Sequence, residues 1–189
     1  MLLLHKNQTM KNRFIKIGVY SIVLSMLFAF TLPQNIEKKV TKEIKAFFEI
    51  TSFTKSPITV NNAALQQEVA PYINTQTFFK IQNKEQTIGY AYVAKAPSKT
   101  DEFDYVILFN KQLEIVKTKV LIYREDYGNE IGSKRWLKQF TGKKPGNTLR
   151  YGSNVDAISG ATISASSMTK AINNTLKGIQ ILKENHIFK

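Results

Sequence analysis

Cysteine is absent from the 189 residues, and there are only two histidines, His5 and His186, one near each end. The first absence excludes disulfides, thiolate metal sites, cysteine nucleophiles and a lipid-modified amino-terminal cysteine. The second argues against a histidine-based metal cluster. Internal repeats and low-complexity tracts are missing as well. Acidic residues are in deficit: 27 Lys and Arg against 14 Asp and Glu give a net charge of +13. No acid precedes residue 34, where Lys6, Lys11, Arg13 and Lys16 carry four of these charges, so the rest of the chain holds +9. Such a surface favours anionic partners. The basic residues are spread along the chain without a nucleic-acid motif among them, so nucleic acid is not an expected partner.

What is present is enough for a packed domain. Hydrophobic residues make up 43% of the chain, including 12 Phe and 8 Tyr, which rules out disorder by composition and fits one globular domain with extra segments.

The amino-terminal residues 1–33 contain a basic segment followed by an uncharged run from Ile17 to Leu32. As a helix this run spans about 24 Å at ~1.5 Å per residue, against a hydrocarbon core of roughly 30 Å. Phe14 and Ile15 extend it, with Lys16 snorkelling. The reading is an uncleaved transmembrane anchor, with the basic flank cytoplasmic and the bulk of the chain outside. A cleaved signal peptide is the alternative, although Ala29 lies between Phe28 and Phe30 and no small-x-small site follows. Met10 is an alternative start to Met1.

Residues 34–74 read as an amphipathic stalk and connector. Ile36, Val40, Ile44 and Phe47/Phe48 recur at helical spacing over 35–50. A polar stretch with Pro57 and Pro71 follows, with a short helix near 62–69. From residue 75 the period changes. Segments 77–82, 87–96, 103–110 and 114–125 are rich in β-branched and aromatic residues and read as antiparallel strands. A short helix is expected over 132–140, and a long one over 164–185. The predicted fold class is therefore α+β, an antiparallel sheet with helices packed on one face, preceded by a transmembrane helix. The domain itself is placed at 75–189.

Just before the long helix stands "DAISGATIS", residues 156–164. Gly160 permits backbone angles closed to other residues and leaves nothing between backbone and ligand. Ala161 keeps the approach narrow, and Ser159, Thr162, Ser164, Ser166 and Ser167 add hydroxyls. The first N–H groups of a helix lack internal partners and carry partial positive charge, so a phosphate is stabilised there. Thr162 or Ser164 simply capping the helix is the competing use. The stretch is not a P-loop, because it lacks the glycine spacing and the Gly-Lys-Ser/Thr ending.

"DAISGATIS" resembles the flavinylation motif of the FMN-binding domain family, Asp-x-x-Ser-Gly-Ala-Thr followed by Ser or Thr. The upstream block "YREDYGNEIGSKRWLKQFTGK", 123–143, is similar to a segment of the family's small anchored or exported members. It lacks the Glu-Thr-Pro-Gly-Leu-Gly usual in the flavin subunits of the sodium-translocating NADH:quinone oxidoreductase and of the Rnf complex. The resemblance covers about residues 75–184.

It implies covalent FMN, joined through its phosphate to Thr162 by a flavin transferase that uses FAD and Mg²⁺. Asp156, Ser159, Gly160 and Ala161 would form the recognised motif and phosphate surroundings, and Glu125 and Gly128 would lie near the flavin. The resemblance further implies a bacterial cytoplasmic-membrane protein exposed on the periplasmic side. It would exchange electrons with redox partner proteins or quinone-linked donors, as a carrier rather than an enzyme with its own substrate. Tyr123, Tyr127, Trp136 and Tyr151 are candidates for packing on the ring, with ordinary core or surface packing the competing use of each. Arg124, Arg150, Lys143 and Lys144 are candidates for offsetting phosphate charge, and Glu130 is a further candidate contact. Noncovalent binding of FMN or another phosphorylated ligand is the alternative. A hydrolase using Ser159 or Ser164 lacks a base, since His186 is about six helical turns away.

Overall fold

Short polar turns between the β-branched and aromatic runs from residue 78 onward make neighbours in the chain natural partners in the sheet. The computed structural model describes residues 32–188. Its elements are helix α1 (Gln34–Phe48), strand β1 (Thr54–Pro57), helix α2 (Ala63–Val69) and strands β2 (Phe78–Asn83), β3 (Gln86–Pro97), β4 (Glu102–Phe109) and β5 (Ile115–Ile122). A four-residue helix α3 (Lys134–Leu137) lies between 3-10 turns at Asn129–Gly132 and Lys138–Phe140, and helix α4 (Thr162–Glu184) follows. The strands form one antiparallel sheet in the order β1-β2-β3-β4-β5. Lys84 and Glu85, both at positive φ, make the two-residue turn between β2 and β3.

Both faces of the sheet are covered, which explains why every residue of β4 from Phe103 to Phe109 is buried. Phe103, Tyr105, Ile107 and Phe109 share one core with Met168, Ile172, Leu176 and Ile179 of α4. Val106 and Leu108 alternate with them and face the other way. There α1 packs against β4 and β5 with Ile36, Val40 and Ile44 buried. An ion pair between Lys117 of β5 and Glu43 of α1, 2.7 Å, fastens the rim.

Two expectations are corrected here. The helices do not all sit on one face, because α1 presents its apolar stripe to the face opposite α4. The polar stretch after α1 is not only connector, because β1 within it pairs with β2 as the sheet's edge. From Pro33 onward the chain forms one compact unit. The expected membrane segment, 1–33, lies outside the described residues apart from its last two. Among the described residues no helix is long and apolar enough to cross a membrane.

Candidate functional site

The loop leading into α4 is fixed by its backbone. Asp156 N donates to Gln139 Oε1 (2.8 Å), and the Asp156 carbonyl accepts from Trp136 Nε1 (2.8 Å). Ile158 N donates to Tyr151 Oη (3.3 Å). Ala161 N then bonds back to the Ile158 carbonyl (3.2 Å), closing a turn whose third residue is Gly160 at φ +80°. A type II turn demands positive φ at that place. Nothing lies within 4 Å of a Cβ built on Gly160, so conformation rather than crowding selects glycine.

α4 starts at Thr162, two residues earlier than the spacing predicts, with Ala161 in the cap position and no side chain capping it. Neither hydroxyl proposed as a cap serves as one. Ser164 is buried, with its Oγ 3.0 Å from Tyr123 Oη, and Thr162 is exposed. The first N–H groups of a 23-residue helix thus receive no side-chain acceptor, and their partial positive charge is directed at the space before them.

The facing wall comes from the segment after β5. Gly128 adopts φ +83°, and a Cβ there would stand 2.9 Å from Tyr123 Oη and 3.0 Å from the Ala161 Cβ. This close approach brings the block and the motif loop into contact. Between them lies a cavity of about 480 Å³, bounded by Lys99, Tyr123, Glu125 and Tyr127 on one side and residues 160–164 on the other. That volume falls within the ~300–1,000 Å³ of small-ligand sites. Tyr127 is 84% exposed, an unusual amount of free aromatic surface beside a cavity.

Glu125 accepts hydrogen bonds from the turn between β3 and β4. Ser98 Oγ (2.7 Å), Thr100 N (2.6 Å), Thr100 Oγ1 (2.8 Å) and Asp101 N (3.2 Å) all approach its carboxylate. The Ser98 hydroxyl, then the Thr100 groups, lower its pKa to about 2. Its oxygens are taken up by protein donors.

Of the residues singled out by sequence, Glu125, Gly160, Ala161, Thr162 and Ser164 line the cavity, and Gly128 stands behind its wall. Ser159 and Asp156 are exposed and lie outside the lining. Tyr123 and Tyr127 line it; Trp136 and Tyr151 do not, and are spent on the loop. Arg124 is occupied by Asp104 and by the Glu102 carbonyl. Arg150, Lys143, Lys144 and Glu130 are not among the lining residues. Lys99 escaped the sequence reading, and Gln139 entered it only as part of the block 123–143. No sequence signal separates Lys99 from the many other lysines, because only the folded turn carries it to the cavity. Among the described residues, no group of three or more His, Cys, Asp or Glu could hold a metal ion.

The residues fit a flavin nucleotide: open amides and a hydroxyl for the phosphate, a lysine for charge, and two tyrosines for a ring. Residues 99–177 match the family described as "FMN-binding domain". Among solved structures, the crystal structure of Shewanella oneidensis NqrC is similar at 14% identity and a TM-score of 0.48, over 76% of this chain and 86% of that one. No curated protein matches. Both walls of the cavity fall inside the segment, residues 99–177, that matches the FMN-binding domain family.

Proposed function

We propose that the chain is an electron carrier that holds FMN covalently through Thr162. The observation that carries this reading is the position of that hydroxyl. It is exposed, stands at the uncapped start of α4, and lines a cavity faced by two tyrosines and a lysine. FMN bound there supplies one- and two-electron redox chemistry. The chain's residues bind and orient it: the helix amides and Lys99 face negative charge, and Tyr127 and Tyr123 offer aromatic surface. A covalent tether keeps the cofactor from being lost outside a cell.

The attachment needs an outside enzyme. A threonine hydroxyl is a poor nucleophile at neutral pH. Glu125 is the one carboxylate among the lining residues, and with a pKa of about 2 and its oxygens already hydrogen-bonded it is a weak base. In the proposed step the Thr162 oxygen attacks the FMN-side phosphorus of FAD. The P–O–P bond breaks, AMP leaves, and the hydroxyl proton passes to a base of the transferase, whose Mg²⁺ offsets the diphosphate charge. The uncharged run 17–32 with its basic flank supports anchoring in the cytoplasmic membrane, with redox partners or quinone-linked donors met on the periplasmic side.

Co-expression with a flavin transferase should add the mass of one FMN minus water to the peptide bearing Thr162. The Thr162→Ala variant should stay unmodified. Flavin fluorescence should persist on a denaturing gel for the first and vanish for the second. The open amides of α4 also favour a noncovalent reading, in which unmodified wild-type protein would release its flavin on denaturation.

A further inference from the structure

The turn between β3 and β4 folds back on Glu125, which gathers Ser98, Thr100 and Asp101 around its carboxylate. Ser98 and Thr100 turn their side chains to that carboxylate. Lys99, between them, instead joins the lining of the cavity that Thr162 also lines. The ion pairs among the described residues are Lys55–Glu37, Lys95–Glu102, Lys117–Glu43 and Arg124–Asp104, and none involves Lys99. With Arg124 committed to Asp104, Lys99 is the cation on the cavity wall.

We infer that Lys99 supplies the positive charge facing the anionic group of the flavin nucleotide, and that Glu125 is its positioning residue. The inference rests on the reading of Thr162 as the flavin carrier. A lysine is a mobile point charge on a long stem, so holding it in place costs conformational entropy. Binding both flanking residues to Glu125 fixes the stem's origin in advance and cuts that cost. The carboxylate stays ionised at neutral pH, so the tie persists under working conditions. The anionic group is either the phosphate at Thr162 or the negative charge gained by the ring on reduction. A preorganised cation in a cavity stabilises both.

The test uses the full chain with flavin on Thr162, verified first by mass, and the variants Lys99→Met, Lys99→Arg and Glu125→Gln. The readouts are the midpoint potential, the ³¹P chemical shift of the phosphodiester and the melting temperature. A lower potential in Lys99→Met places the charge at the ring. A moved ³¹P signal with unchanged potential places it at the phosphate. In either case Lys99→Arg restores the wild-type value, and Glu125→Gln shifts the same readout in the same direction by less. If Lys99→Met leaves both readouts in place, the inference is overturned. If Glu125→Gln lowers only the melting temperature, its positioning role falls. A wild-type chain without attached flavin overturns the carrier reading itself, a failure the mass measurement reveals before any variant is compared.

Discussion

The indole nitrogen of Trp136 donates to the Asp156 carbonyl across 2.8 Å, and three residues on, Gln139 Oε1 accepts from the Asp156 amide at the same distance. One residue at the head of the motif loop is thereby clamped at both of its backbone polar groups. Trp136 is buried and meets Phe140 edge-on, with ring centroids 5.1 Å apart, so its rotamer is fixed by packing. Trp136→Phe keeps an aromatic ring but leaves the carbonyl without its donor. Asp156 is exposed and water can take the donor's place, so losing this bond costs about 0.5–1.5 kcal/mol. A lower urea midpoint is expected, together with a smaller flavinylated fraction by mass spectrometry. The absorption spectrum of attached flavin should not change, because Trp136 does not line the cavity. Full modification despite reduced stability would show that the clamp does not position the acceptor.

Gly128 and Gly160 have nearly the same backbone angle, φ +83° and +80°, but different surroundings. A side chain in that region costs about 1–3 kcal/mol by itself. At Gly160 a methyl group enters open space, so Gly160→Ala should cost only this strain. At Gly128 the methyl also presses on Ala161 and Tyr123, the two groups that join the cavity walls. Gly128→Ala should therefore destabilise more than Gly160→Ala in parallel urea titrations. Equal losses would mean that the contact with Ala161 yields without strain.

The strands of the meander were legible because burial draws β-branched and aromatic residues into runs bounded by turn residues, continuous where, as in β4, both faces are covered. α4 was legible for the same reason at period 3.6, with Met168, Ile172, Leu176 and Ile179 on one stripe. β1 was not, because "TKSP" holds no large apolar residue and ends in proline. An edge strand can be that polar, and proline is tolerated there. Thr162 was visible through a contiguous motif. Glu125 was legible as lying close to the site but not in its partners, because Ser98, Thr100 and Asp101 are more than twenty residues away and meet it only through the β3–β4 turn. Trp136, an aromatic of the block 123–143, was a candidate both for the ring and for ordinary packing, and it is buried. Its nitrogen is turned inward to hold a carbonyl.

Ile44 of α1 is fully buried on the sheet face opposite α4. Removing its branched side chain leaves a cavity that a sheet held from both faces cannot easily close. Ile44→Ala should cost about 2–5 kcal/mol, read as a lowered urea midpoint with unchanged slope. A chain begun at residue 75 loses α1 and β1 together, exposing the apolar residues of one sheet face and the edge of β2. It should aggregate or remain unfolded. Wild-type stability in Ile44→Ala would instead mean that α1 is a detachable stalk.

The four donors around Glu125 make the turn between β3 and β4 depend on pH. Its folded-state pKa, about 2, lies below the ordinary 4.5, so folding favours the ionised form. The stabilisation is complete above about pH 4.5 and is lost progressively as pH falls toward 2. Amide exchange at Thr100 and Asp101, whose N–H groups donate to the carboxylate, should accelerate relative to the sheet across that interval. Glu125→Gln cannot ionise, so its turn should exchange faster than wild type at neutral pH, with the difference shrinking on acidification. The direction follows from the ionised carboxylate being the better acceptor. Parallel pH profiles for the two proteins would mean that something other than Glu125 holds the turn.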